Sequence, residues 1–276
     1  QRQMCIRDRR YRQIQGTYPV IFLSFADVKA DNIQDARFQV KVKISELFDQ
    51  NTYLLDSNVL SDNEKDIFKN ITMYMDDALC CSAVNIMCRY MQRYYNKKVI
   101  VLLDEYDTPM QEAYIHGYWD EFTAFLRSLF NATFKTNPYL ERAVMTGITR
   151  VSKESMFSDL NNLNVVTTTS DEYSSCFGFT EEEVFDSLDA FGLSDKKQEV
   201  KKWYDGFTFG SHKDIYNPWS VTSYLDKKRI APYWASTSSN GLVSRLLQTA
   251  STQVKELMEE LLRGGTIVVN LSLIHI

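Results

Sequence analysis

No run of apolar residues approaches the ~20 needed to cross a bilayer, and the amino terminus is charged throughout, with no apolar core of a secretory signal. Cysteine is sparse: Cys5, Cys80, Cys81, Cys88 and Cys176 are too few and too oddly spaced for a disulfide framework. Histidine is scarcer, and His116, His212 and His275 lie far apart and near no cysteine cluster, so no zinc site is expected. Positive charge is in deficit, with 31 Lys and Arg against 36 Asp and Glu. A net charge of −5 and a pI near 5.4 argue against a chain built around the phosphate backbone of nucleic acid. No Gly-Lys pair occurs anywhere, so nothing matches the G-x-x-x-x-G-K-[ST] loop that cradles nucleotide phosphates. These absences describe a reduced, cytoplasmic chain with no membrane or nucleic-acid partner expected.

What is present suits a globular fold. The 276 residues are 44% hydrophobic and 24% charged, enough for one large domain or a domain with a smaller companion. Pro19 to Phe25 is a short apolar run that predicts a buried parallel strand. Val40, Ile44, Leu47 and Phe48 fall at helical spacing. Ser61 and Glu64 form a capping box that predicts a helix through Ile67, Ile71 and Met75. Leu79, Ala83, Ile86, Met87, Tyr90, Met91 and Tyr94 continue the helical pattern to Asn96, with Cys80, Cys81 and Cys88 inside it as buried reduced thiols. Val99 to Leu103 are five consecutive branched aliphatics, which predicts a central strand buried on both faces. A helix from Trp119 to Phe134 and a strand from Arg142 to Gly147 follow. This alternation argues for an α/β sandwich around a parallel sheet.

Beyond about Cys176 the character changes. Thr180 and Glu183 form a second capping box, with Gly192 as the helix stop. A short helix is expected over 194–204, broken by Gly206, and Asn217 with Pro218 predicts another helix start. Small helices with intervening aromatics suggest a helical or winged-helix subdomain. Residues 1–10 and the apolar close of the chain lack element periodicity and resemble translated sequencing-adapter read-through. The expected organisation is a non-native end over 1–10, a partial α/β core over 11–175, a smaller helical or winged-helix-like unit over 176–265 and a truncated or non-native end over 266–276.

The chemistry centres on Asp104 and Glu105. In open parallel sheets, ligands bind beyond the carboxyl ends of the strands. An acid ending an apolar strand is placed to hold Mg²⁺ through its hydration shell, and a second acid beside it can orient or deprotonate an attacking water. Asp107 extends the acidic loop. Thr146, Thr149 and Arg150, after the next strand, offer hydroxyls that can report a γ-phosphate and an arginine that can stabilise transition-state charge. Spacing alone favours a surface salt bridge for Arg150 over that role.

The segment Val-Ile-Val-Leu-Leu-Asp-Glu-Tyr-Asp-Thr-Pro-Met (99–110) resembles the Walker B segment of the bacterial AAA-ATPase-like family. So do Thr-Gly-Ile-Thr-Arg-Val-Ser-Lys-Glu-Ser-Met-Phe-Ser-Asp-Leu-Asn-Asn-Leu (146–163), Cys-Phe-Gly-Phe-Thr-Glu-Glu-Glu-Val (176–184), Trp-Tyr-Asp-Gly-Phe-Thr-Phe-Gly (203–210), Ile-Tyr-Asn-Pro-Trp-Ser-Val (215–221) and Tyr-Trp-Ala-Ser-Thr-Ser-Ser-Asn (233–240). The resemblance implies a P-loop NTPase-type parallel sheet sandwich, here without its first strand and phosphate loop, followed by a winged-helix-like lid. It implies ATP and Mg²⁺ as ligands, with Asp104 the metal carboxylate, Glu105 the catalytic base, Thr146 a sensor and Arg150 a sensor or finger. Family members usually carry an upstream phosphate loop and often a downstream PD-(D/E)XK nuclease-like domain.

The expected function is an ATP-driven conformational switch, with hydrolysis moving the lid and the fragment inactive alone. The rivals are a non-hydrolysing interaction module and a regulator of an attached nuclease. An arginine finger would imply a homo-oligomer. Asp27-Val28-Lys29 mimics half of a nuclease site but reads as a polar strand exit. Ser152-Lys153-Glu154-Ser155 reads as a helix start rather than a lysine-activated serine. Trp203, Tyr204, Phe207, Phe209 and Trp219 read as core of the lid rather than a base-stacking platform.

Overall fold

The structure, a computed structural model, describes residues 13–148, 160, 163–234, 247–248 and 250–266. The described residues fall into two compact units. One is drawn from within Gln1–Asn162 and Arg245–Ile276, the other from within Leu163–Ser244.

The first unit is mixed α/β. Its sheet runs β1 (Val20–Ser24), β2 (Val99–Asp104), β3 (Leu140–Met145), in that spatial order and all parallel. Parallel neighbours need long crossovers, and helices supply them. Between β1 and β2 come α1 (Ile33–Asp49), α2 (Asp62–Asn70) and α3 (Asp77–Tyr95). Between β2 and β3 come α4 (Thr108–His116) and α5 (Trp119–Phe130), which runs into a π-helical turn at Asn131–Lys135.

Helix boundaries follow local capping chemistry. Asn32 caps α1 through the Asp35 N–H, Ser61 and Glu64 cap α2 reciprocally, and Asp76 caps α3 through the Leu79 N–H. The expected helix through Ile71 and Met75 is corrected. It stops at Asn70 and restarts at Asp76, whose carboxylate ends one continuous apolar pattern and begins another. Asn96 closes α3 in the left-handed conformation (φ 51°).

Helices α1, α3 and α5 pack on one another, with α1 against β1 and α3 against β2. Val40, Ile44 and Phe48 of α1, Met87 of α3, and Phe122, Leu126 and Phe130 of α5 are essentially inaccessible to water. Each such side chain contributes about 2 kcal/mol through burial.

This layer meets Ile21 and Leu23 of β1 and Val99, Val101 and Leu103 of β2, all buried. The opposite face of the sheet is uncovered among the described residues. Phe22, Leu102 and Val144 stand side by side in register there, with Phe22 60% and Val144 53% exposed and Leu102 half-buried. The expectation of β2 buried on both faces is therefore corrected. Five aliphatics in a row encode two layers of cover, and the described residues provide one.

The second unit carries a sheet in the order β4 (Phe179–Thr180), β6 (His212–Tyr216), β5 (Asp205–Phe209), all antiparallel. With it come α6 (Glu181–Ala190), α7 (Lys197–Tyr204) and α8 (Pro218–Lys227). The Thr180–Glu183 capping box and the Asn217 cap with Pro218 behind it are present as expected. The short helix expected over 194–204 ends at Tyr204, and the chain passes directly into the unforeseen β5–β6 hairpin at Asp205, with Gly206 inside the strand. Val184, Leu188, Val200, Tyr216 and Val221 form the core.

Tyr204 is buried there, whereas Trp203 (54%), Phe207 (42%) and Trp219 (55%) are exposed and Phe209 is half-buried. Reading these aromatics as core holds for Tyr204 and is corrected for Trp203, Phe207 and Trp219. Helix and strand geometry turns alternate side chains outward, so one aromatic-rich segment cannot bury all of its rings. Lys201 pairs with Glu181, and the Tyr216 hydroxyl donates to the same carboxylate at 3.1 Å.

Candidate functional site

The three parallel strands deliver their carboxyl ends side by side. Ser24 lies in register with Asp104, and the Phe25 N–H donates to the Asp104 carbonyl at 2.9 Å. On the other side the Thr146 N–H donates to the Leu103 carbonyl at 2.9 Å, continuing the ladder one residue past β3. Asp104 and Thr146 are thereby adjacent. The Thr146 hydroxyl donates to Asp104 Oδ1 at 2.6 Å, a short charge-assisted bond. Two residues 42 positions apart in sequence are joined at the strand ends.

Glu105 is exposed and adopts the left-handed conformation (φ 51°). For a non-glycine residue this costs on the order of 1–3 kcal/mol and persists only where the surroundings impose it. The imposing contacts are local: the Thr108 N–H donates to the Glu105 carbonyl at 3.2 Å, and the Thr108 hydroxyl to Glu105 Oε2 at 2.9 Å. The Tyr106 N–H donates to the Thr146 carbonyl at 3.1 Å, tying this turn to the end of β3. Asp107 does not extend an exposed acidic loop, as its sequence position suggests. It is fully buried, stands at the N-cap position of α4, and accepts from Gln111 Nε2 at 3.0 Å.

The arrangement offers one carboxylate oriented by a hydroxyl and a second, solvent-facing carboxylate one residue on. Oxygen donors of this kind suit Mg²⁺, which keeps several waters and takes one or two carboxylates alongside phosphate oxygens. No cluster of three or more His, Cys, Asp or Glu side chains suited to a metal occurs among the described residues.

Thr149 and Arg150, expected as sensors, lie outside the described residues, as does the Ser152–Ser155 segment. Asp27 forms an ion pair with Lys43 at 2.7 Å, which lowers its carboxyl below the usual range and suits a polar strand exit.

Sequence reasoning missed α4, the burial of Asp107 and the Thr108 hydroxyl on Glu105. Pro109 in the first turn of α4 was the available signal for the helix.

A family model described as "Predicted AAA-ATPase" matches residues 2–157, which span every residue of this site. Among curated proteins, the chain is similar to one from Azotobacter chroococcum mcd 1 described as "Uncharacterized protein in vnfD 5'region". The two are 31% identical over 153 residues, which is 55% of this chain and 29% of the relative. The chain thus spans less than a third of that relative's length. No solved structure matches the chain significantly.

Proposed function

This chain belongs to the predicted AAA-ATPase family, and on that premise we propose that it carries the metal-binding and water-activating half of an ATPase site. The observation that carries the reading is the Asp104–Glu105 pair at the carboxyl end of the central parallel strand, with the Thr146 hydroxyl fixed on Asp104.

In this reading Asp104 would hold Mg²⁺ through its hydration water, and the Thr146 bond keeps the carboxylate aimed. Glu105 takes the proton of the water that attacks the γ-phosphate, after exchanging its bond from Thr108 for one to that water. Mg²⁺ supplies charge neutralisation at the β- and γ-phosphates when bound with ATP. Thr149 and Arg150 are proposed as the groups that contact the γ-phosphate, Arg150 within one chain or across a homo-oligomer.

No match to the phosphate-binding loop occurs in these 276 residues, and in this reading a longer protein supplies it. The fold proposed for the whole is a P-loop sandwich with a winged-helix-like second unit, working as an ATP-driven conformational switch.

Equilibrium binding of ATP with and without Mg²⁺ tests the division of labour. This chain is expected to bind weakly or not at all, and a longer protein that includes the loop to bind Mg·ATP well. Tight Mg·ATP binding by the 276 residues alone would contradict it. A second reading, a protein-interaction module without turnover, draws on the uncovered apolar row of Phe22, Leu102 and Val144, since such patches mark contact surfaces.

A further inference from the structure

We infer that Asp107 is the positioning residue that holds the Asp104–Glu105 turn against the end of β3, with Gly147 as its seat. The consequence for turnover rests on the ATPase reading above; the structural tie does not.

The burial gradient along the turn is steep. Asp104 is half-buried, Glu105 exposed, and Asp107 inaccessible to water. A carboxylate is not buried for its own sake, because removing it from water is costly. One side of the Asp107 carboxylate is taken by Gln111, a turn along α4. The other side lies over Gly147. A Cβ added at residue 147 would come within 2.8 Å of Asp107 Cγ and 2.9 Å of the Tyr106 ring, closer still to Asp107 Oδ1.

Gly147 is not in the left-handed region, so backbone freedom does not demand glycine there. Space does. Tyr106, between Glu105 and Asp107, donates its N–H to Thr146, the neighbour of Gly147. The turn after β2 and the turn after β3 are therefore joined by a backbone bond, and the Asp107 carboxylate packs closely over Gly147 beside it. Glu105 lies on the outer edge of this fastening, held in a conformation it would not adopt alone. Asp107 touches no substrate in this account; it sets where Glu105 points.

Two single variants and their combination test the tie. Asp107→Ala empties the space over Gly147, Gly147→Ala fills it from below, and the double variant places the new methyl in the room the carboxylate left. In the 276-residue chain, amide exchange reads the tie without nucleotide. Asp107→Ala is expected to speed exchange at Tyr106 about tenfold or more while Ile100, bonded to Pro19, keeps its rate.

In the longer protein, each single variant is expected to lower kcat for Mg·ATP about tenfold or more, with KM within about twofold, and the double variant to regain part of the loss. Unchanged exchange at Tyr106 overturns the inference, and so does faster exchange that extends equally to Ile100, which marks a merely structural role. If Gly147→Ala does not fold, Asp107→Ala and the double variant decide the question. A wild-type longer protein without turnover sinks the ATPase reading alone, since the exchange result still judges the tie.

Discussion

Asp104 is useful only in one orientation, and a single hydroxyl sets it. Removing the Thr146 bond leaves a strand-end carboxylate free to rotate. Hydrogen bonds to charged groups are worth about 1.5–3 kcal/mol, so Thr146→Val is expected to lower Mg·ATP turnover of the longer protein about tenfold or more while Thr146→Ser retains most of it. Steady-state kinetics at saturating Mg²⁺ check this. The thiols make an independent residue-scale prediction. Burial pushes Cys80 up to about 12 and Cys88 and Cys81 to about 11, while Cys176 is exposed. Iodoacetamide at mildly alkaline pH is expected to label Cys176 in the folded chain and Cys80 and Cys88 only after denaturation, as peptide mapping would show. At this scale the strand-end position of Asp104 and Glu105 was legible in the sequence because an apolar run stops there. Asp107 was not, because a buried and a solvated aspartate are written with the same letter and its cover comes from Gly147, 40 residues away.

Elements with local causes were legible, and those depending on distant partners were not. Both capping boxes form as written, since each needs only a hydroxyl and a carboxylate three residues apart. Ser61→Ala is expected to cost about 1 kcal/mol and to lower Tm by about 2–4 °C, measured by thermal unfolding. The β5–β6 hairpin escaped because its alternation, Phe207-Thr208-Phe209, spans only three residues behind Gly206, and the strand is held by pairing with β6. That hairpin also stores a pH dependence. Burial, and then its hydrogen bond with Asp214, raise the Asp205 carboxyl above the ordinary range. The folded state therefore binds this proton more tightly than the unfolded state. Its stabilising effect is complete below the unfolded carboxylate range and is lost as pH rises through the raised folded value. Asp205→Asn is expected to flatten that part of the stability profile as pH rises above the ordinary carboxylate range, and an unchanged profile of thermal unfolding against pH would refute the assignment.

For the whole molecule, strand–helix alternation was enough to predict a parallel α/β core, because few topologies satisfy it. How many layers cover the sheet was not readable, since apolar strand residues record cover without recording where it comes from. No helix among the described residues is long and apolar enough to cross a membrane. The proposed function gives Glu105 the task of activating water for ATP hydrolysis. The most direct test is Glu105→Gln in the longer protein that includes a phosphate-binding loop, comparing Mg·ATP binding and turnover with wild type. The account predicts that binding is kept while hydrolysis falls about a hundredfold or more. Turnover equal to wild type in Glu105→Gln, or a wild-type protein that neither binds nor hydrolyses ATP, would contradict it.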